Sequence, residues 1–86
     1  MSNYTIFLTQ HAGRDLKSFP IGIRKRILTK LQWFADQADP IEFAKPLRNV
    51  PPSKFRFRIG KIRVFFFVRN NSLIITGIED RSRAYR

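Results

Sequence analysis

Residues 55–68, with the sequence FRFRIGKIRVFFFV, decide the fold of this chain. In the first five residues, apolar side chains alternate with Arg56 and Arg58, which is the period of a half-buried strand. The next two residues, Gly-Lys, form the turn, because glycine adopts a positive φ without steric cost. The rest of the segment is β-branched or aromatic apart from one arginine, as expected of a strand covered on both faces or nearly so. The segment therefore predicts a β-hairpin whose first strand turns three apolar side chains to the core: Phe55, Phe57 and Ile59.

Upstream of the hairpin, the pattern predicts one strand and two helices. Residues 4–8 have the composition of a strand, and a short helix is expected to begin at Thr9 or Gln10. Pro20 fits the first turn of a second helix, where its missing N–H costs nothing, and Asp39-Pro40 is expected to end that helix. The second helix carries one apolar stripe at helical spacing, made of Ile23, Ile27, Leu28, Leu31, Phe34, Ala35 and Ala38.

The second half of the chain predicts three antiparallel strands. Residues 40–53 contain four prolines and indicate an extended connection. Strands are then expected at residues 54–59, 62–68 and 73–78, with a turn at residues 69–72 whose asparagines tolerate left-handed geometry. The order β-α-α-β-β-β predicts a single α+β domain over residues 1–86, with an antiparallel sheet and both helices on one face. We expect basic residues to line the face that the helices leave open.

The charge of the chain is strongly positive and uneven. The formal net charge is +11, and residues 45–86 hold eleven Lys/Arg against two Asp/Glu. This favours a polyanionic partner, either nucleic acid or an acidic protein, over a merely soluble basic protein. The absence of cysteine excludes a disulfide framework, a thiolate metal site and a cysteine nucleophile, and fits a cytoplasmic protein. No apolar run has membrane-spanning length, so we expect no membrane partner.

Two segments of the sequence resemble the RelE/ParE superfamily of type II toxin–antitoxin toxins. The first is the hairpin, FRFRIG followed by IRV, and the second is the C-terminal pair Arg81 and Tyr85, separated by three residues. Arginine at both hairpin positions is similar to the archaeal and other arginine-based members, whereas some members have lysine there. The family usually has a basic residue or histidine at the position of Asp80, so the chain departs from the pattern there.

The resemblance implies a RelE-like fold and a ribosome-dependent mRNA endoribonuclease. The implied catalytic residues are Arg56, Arg63, Arg81 and Tyr85. Further contacts to RNA are expected from Arg48, Lys54, Arg58, Lys61 and Arg83. Arg56 and Arg58 are two apart on one strand and therefore share a face. The alternative for each arginine is that it only keeps a strand face soluble.

The chemistry that the resemblance implies is attack of a ribose 2′-OH on the adjacent phosphate. Arginine matches phosphate geometry and stabilises the developing charge, but it stays protonated and is a poor base. Tyr85, with an ordinary phenol pKa of about 10, could act as the base or could only position a nucleotide. His11 is expected to be structural or exposed. Glu79 and Asp80 should face opposite sides of a strand, so we predict no metal site and no cofactor.

The expected partners are mRNA on the ribosome and a small acidic antitoxin that forms a hetero-oligomer with the toxin. Two other functions are compatible with the sequence. One is a ParE-type toxin of the same fold that inhibits DNA gyrase by protein contact, against which the clustered arginines argue. The other is a nucleic-acid-binding module without catalysis.

Overall fold

Two helices pack against one face of a five-stranded sheet, in a computed structural model that describes residues 3–82. The helices are α1 (Gln10–Lys17) and α2 (Ile21–Ala35), and a short 3-10 helix spans Pro40–Phe43. The strands are β1 (Thr5–Leu8), β2 (Lys45–Pro46), β3 (Phe55–Ile59), β4 (Ile62–Arg69) and β5 (Ser72–Asp80). Their order in the sheet is β1-β5-β4-β3-β2.

The hairpin and the strand after it form where the sequence predicts them. β3 and β4 pair antiparallel through the two-residue turn at Gly60 and Lys61, and Gly60 has a φ of +61°. The turn between β4 and β5 places Asn70 in the left-handed region, with a φ of 54°. These features confirm the turn chemistry inferred from glycine and asparagine.

The edges of the sheet differ from the prediction. β1 pairs parallel with β5, so the sheet is mixed, although its other pairs are antiparallel. β2 lies within the segment predicted to be an extended connection, and it pairs over two residues with β3. After the two helices, the chain can return to the same sheet and place a later strand parallel to β1. Which strand becomes the neighbour of β1 depends on the whole fold rather than on the local sequence pattern.

The second helix ends four residues earlier than predicted, at Ala35 instead of at Asp39-Pro40. The N–H of Asp36 still bonds to helix carbonyls, but the Asp39 side chain accepts a bond from Ile41 N at 3.2 Å and begins the 3-10 helix. Four of the predicted stripe residues are buried, namely Ile27, Leu31, Phe34 and Ala35, whereas Leu28 and Ala38 are exposed. The buried surface of α2 is therefore narrower than its apolar stripe predicts.

The core lies between the helices and one face of the sheet, and aromatic rings dominate its centre. Phe57 stacks on Phe34 of α2 at a centroid distance of 4.0 Å and on Phe66 of β4 at 4.2 Å. Both Phe57 and Phe66 are fully buried. The predicted inward orientation of the apolar positions of β3 is confirmed. Across residues 3–82, neither helix has the length and apolar character that crossing a membrane requires.

α1 closes the part of the β5 edge that β1 does not reach. β1 ends at Leu8, opposite Ile75. Beyond that point, the carboxylate of Asp15 accepts a hydrogen bond from the backbone N–H of Ile78 at 2.9 Å. A side chain thus satisfies a strand donor that would otherwise lie unpaired at the edge. His11, beside it, is exposed as predicted, with Nε2 at 3.3 Å from Asp15 Oδ2.

Candidate functional site

The open face of the sheet is basic only near the hairpin turn and the β2 edge. The register brings Lys45 opposite Arg56, and Arg58 opposite Arg63, on the face away from the core. Toward β1 the same face is apolar, because Phe7, Ile74 and Phe67 lie side by side on three neighbouring strands. The expectation that basic residues line the open face is therefore correct for one half of it.

Arg81 joins the hairpin through a backbone contact. β5 ends at Asp80, and the N–H of Arg81 then donates to the carbonyl of Lys61 in the turn at 2.8 Å. Asp80 Oδ1 accepts a bond from the N–H of Ser82 at 2.8 Å, which turns the chain after the strand. The hairpin and the end of β5, which are distant in sequence, consequently meet around one small cavity of about 30 Å³, lined by Arg56, Arg58, Gly60, Lys61, Arg63 and Arg81. We call its five cationic residues the basic cluster.

The basic cluster contains most of the residues that the sequence identifies as functional candidates. Three of them are the predicted catalytic arginines Arg56, Arg63 and Arg81, and two are the predicted RNA contacts Arg58 and Lys61. The other predicted RNA contacts, Arg48 and Lys54, are exposed and do not line this cavity. Arg83 and Tyr85 lie outside the described residues, so their predicted roles stay predictions.

Arg63 and Arg58 differ in their partners, although they lie directly opposite each other. Arg63 Nη2 donates to Glu79 Oε1 in an ion pair across β4 and β5. Its Nε is buried and has no hydrogen-bond partner within residues 3–82. Arg58 is exposed, and its Nε donates to the carbonyl of Gly60 at 3.3 Å. Like charges directly opposite on a sheet destabilise the pair, and Glu79 offsets part of that cost at Arg63.

The arrangement can bind a phosphate group and stabilise negative charge that develops on it. Four arginines line one small cavity, and arginine offers planar, paired donors to phosphate oxygens. Within residues 3–82, Glu79 forms an ion pair with Arg63 of this cluster. The remaining positive charge would attract a polyanion.

Sequence reasoning missed two contributors to this surface. Lys45 lies beside Arg56 because β2 pairs with β3, but a two-residue strand that contains Pro46 carries no strand pattern. The exposed side of α2 contributes Arg26 and Lys30 near the hairpin turn. Their spacing of four residues places them on one helix face, so the sequence does contain that signal.

Comparison with solved structures gives strong matches over almost the whole chain. A chain of the toxin–antitoxin complex RelBE2 from Mycobacterium tuberculosis is 29% identical, with a TM-score of 0.70 and 95% of each chain covered. This protein has a RelE-like fold. The archaeal RelE–RelB complex from Pyrococcus horikoshii gives a TM-score of 0.71 at 20% identity, covering 94% of this chain and 98% of that one.

The RelB–RelE complex from Methanococcus jannaschii extends the same result. It matches at 21% identity and a TM-score of 0.68, covering 92% of this chain and 94% of that one. At such identities the two archaeal matches show the fold alone. No protein-family model and no curated protein matches the sequence. The resemblance seen in the hairpin therefore agrees with the fold as a whole, and the RelE-like fold is confirmed.

Proposed function

We propose that this RelE-like protein is the toxin of a type II toxin–antitoxin system and cuts mRNA on the ribosome in the cytoplasm. The basic cluster is the observation that carries the proposal. Its arginines and lysine line one small cavity, and arginine matches the geometry of phosphate. Similarity at 29% identity to a chain of a toxin–antitoxin complex supports the toxin assignment.

In the proposed reaction, a ribose 2′-OH attacks the adjacent phosphorus. The bond between the 2′-oxygen and phosphorus forms, and the bond from phosphorus to the 5′-oxygen breaks. The products are a 2′,3′-cyclic phosphate and a free 5′-OH, and the proton lost by the 2′-OH is balanced by one gained by the leaving oxygen. Arg56, Arg63 and Arg81 would stabilise the pentacoordinate transition state, because positive charge placed in advance costs no reorganisation during the reaction.

RNA binding outside the reacting phosphate would come from cations around the basic cluster. Arg58 and Lys61 line the same cavity, and we add Lys45 because it lies opposite Arg56. Arg48, Lys54 and Arg83 remain proposed contacts to the RNA backbone. Tyr85 remains the proposed base or nucleotide-positioning residue. Binding dominated by phosphate contacts should weaken steeply with salt.

The test of this function is inducible expression followed by mapping of mRNA 5′ ends. Internal cuts within translated reading frames, lost in Arg81→Ala and retained in Arg14→Ala, are the expected result. Arg14 is an exposed α1 arginine that does not line the cavity and serves as the matched control. DNA breaks without RNA cuts would instead identify a gyrase inhibitor. Growth arrest with neither lesion would identify a binding protein without catalysis.

The proposed neutralising partner is an acidic antitoxin. A protein of net charge +11 attracts an acidic chain over long distances, while apolar contacts hold the assembled complex. The apolar half of the open face, where Phe7 is 54% exposed, offers such contacts. Association measured by stopped flow at two salt concentrations should slow sharply with salt. An association rate that does not change with salt would contradict the electrostatic part of this proposal.

A further inference from the structure

A second basic surface adjoins the basic cluster on the helical side of the hairpin turn. A groove of about 540 Å³ lies between α2 and the turn. It is lined by Lys25, Arg26, Thr29, Lys30, Trp33, Arg58, Ile59 and Gly60. We call it the α2 groove. Four of these residues are cationic and none is acidic, so the lining of the groove carries a net positive charge.

The cations of the α2 groove do not stabilise the fold through ion pairs. The pairs within residues 3–82 are His11–Asp15 and Arg63–Glu79, so Lys25, Arg26 and Lys30 have no carboxylate partner there. Like charges four residues apart on a helix are destabilising, which applies to Arg26 and Lys30. Cations that lie together on one surface without carboxylate partners are typical of a binding site.

Trp33 gives the far end of the α2 groove an exposed aromatic ring. Its exposed fraction is 42%, and Lys30 Nζ lies 4.3 Å from its ring centroid. Phe43, in the 3-10 helix, packs edge-on against the Trp33 ring at a centroid distance of 5.1 Å and holds it in place. Aromatic rings next to cations are the usual means by which proteins hold single-stranded nucleic acid, since bases stack on rings while cations follow the backbone.

The α2 groove is continuous with the cavity of the basic cluster. Arg58 and Gly60 line both spaces. The Arg58 Nε bond to the Gly60 carbonyl holds this guanidinium at the border between them. Gly60 also lets Arg26 approach this border closely, because a Cβ added there would lie 3.2 Å from Arg26 Nη2. A polymer of phosphates bound at the cluster can thus pass directly into the groove.

We propose that the α2 groove binds the single-stranded RNA that flanks the phosphate held by the basic cluster. The proposal rests on the proposed RNA cleavage for the identity of the polymer. Continuity with the cluster favours RNA over an acidic protein, because a protein partner would not need a cationic path that leads to the reacting phosphate. Arg26 and Lys30 would contact phosphates, and Trp33 would contact a base.

Binding of uncleavable RNA tests this inference separately from catalysis. The probes are a labelled 2′-O-methyl trinucleotide and a longer single-stranded 2′-O-methyl oligonucleotide, which lack the attacking hydroxyl. Trp33 is the only tryptophan in the chain, so its fluorescence reports on the groove directly. The longer probe should bind more tightly than the trinucleotide and should change Trp33 fluorescence, whereas the trinucleotide should not.

Two double variants, each of which removes two cations, compare RNA binding by the groove with RNA binding by a distant surface on α1. Arg26→Gln with Lys30→Gln should weaken the longer probe about ten-fold and reduce its salt slope by about 0.7 for each cation removed. Trinucleotide affinity should not change. Arg14→Gln with Lys17→Gln, on exposed positions of α1, is the control and should leave the salt slope of the longer probe within error of the unmodified protein. Gln keeps helix propensity close to that of Lys and Arg.

Two results would overturn the inference. Equal weakening by the groove and control variants would mean that only net charge matters. The second result concerns polyglutamate. If it binds as tightly as the longer probe, and if the groove variant weakens both ligands equally, then the surface would be assigned to an acidic protein. Neither result depends on whether the protein cuts mRNA in cells, so failure of this inference and failure of the proposed function are distinguishable.

Discussion

The two faces of β3 differ completely in their roles, although their residues alternate along five positions of the chain. Phe57 is fully buried between two aromatic rings, whereas its neighbours Arg56 and Arg58 point to the open side. The core face packs against aromatic rings of α2 and β4 and stabilises the sheet. The other face keeps cations close together, at a cost in repulsion. One strand therefore supplies both the stability and the charge that the proposed site requires.

The largest effect is expected on stability, from truncating a side chain on the core face of β3. Phe57→Ala removes the middle ring of the stack and leaves a cavity, which should cost about 3–5 kcal/mol. In a domain of this size, that lowers the Tm by more than about 10 °C, measured by calorimetry or circular dichroism. Arg56→Ala is the neighbouring control and should leave the Tm nearly unchanged. A reversed pattern would mean that the faces of β3 are assigned the wrong way round.

The next largest effect is expected on mRNA cleavage, from removing a cation on the open face. Arg81→Ala should lower the mRNA cleavage rate by about 10²–10³-fold, the usual cost of one preorganised charge contact. The fold should persist, because the contact of Arg81 with Lys61 uses its backbone N–H, which alanine keeps. Cleavage by ribosomes programmed with a defined mRNA measures the rate. Full activity at equal Tm would remove Arg81 from the site.

A smaller effect is expected at the sheet edge, which belongs to neither face. Asp15→Ala leaves the N–H of Ile78 without its side-chain acceptor and should cost about 1–3 kcal/mol. Asp15→Asn retains an acceptor oxygen and should cost less. Urea denaturation gives both values. If the two variants are equally stable, then the hydrogen bond at this edge contributes little.

The smallest effect is expected from the ion pair inside the basic face. Glu79→Gln should change the free energy of unfolding by less than about 1 kcal/mol, because the side chains of Arg63 and Glu79 are 27% and 43% exposed. RNA binding should be retained or strengthened, since a negative charge is lost from the cluster. Titration of the variant with an uncleavable oligonucleotide measures this. Weaker binding would show that Glu79 holds Arg63 in its binding position.

The sequence by itself determined the local features of this protein. Alternation in residues 55–59 set which side chains of β3 face the core, and Gly60 and Asn70 set the two turns. Helical spacing located the second helix, since period and turn chemistry are properties of short segments. For the same reason, the period of the strand alone places Arg56 and Arg58 together on one face.

Only the tertiary structure decided how distant segments meet. The parallel pairing of β1 with β5, the position of Lys45 beside Arg56 and the Arg63–Glu79 pair all depend on strand register. The α2 groove likewise exists only because α2 packs beside the hairpin turn. Register is fixed by the burial of one whole face against the helices. A local period carries no information about which distant strand becomes the neighbour, so these contacts follow from the assembled core alone.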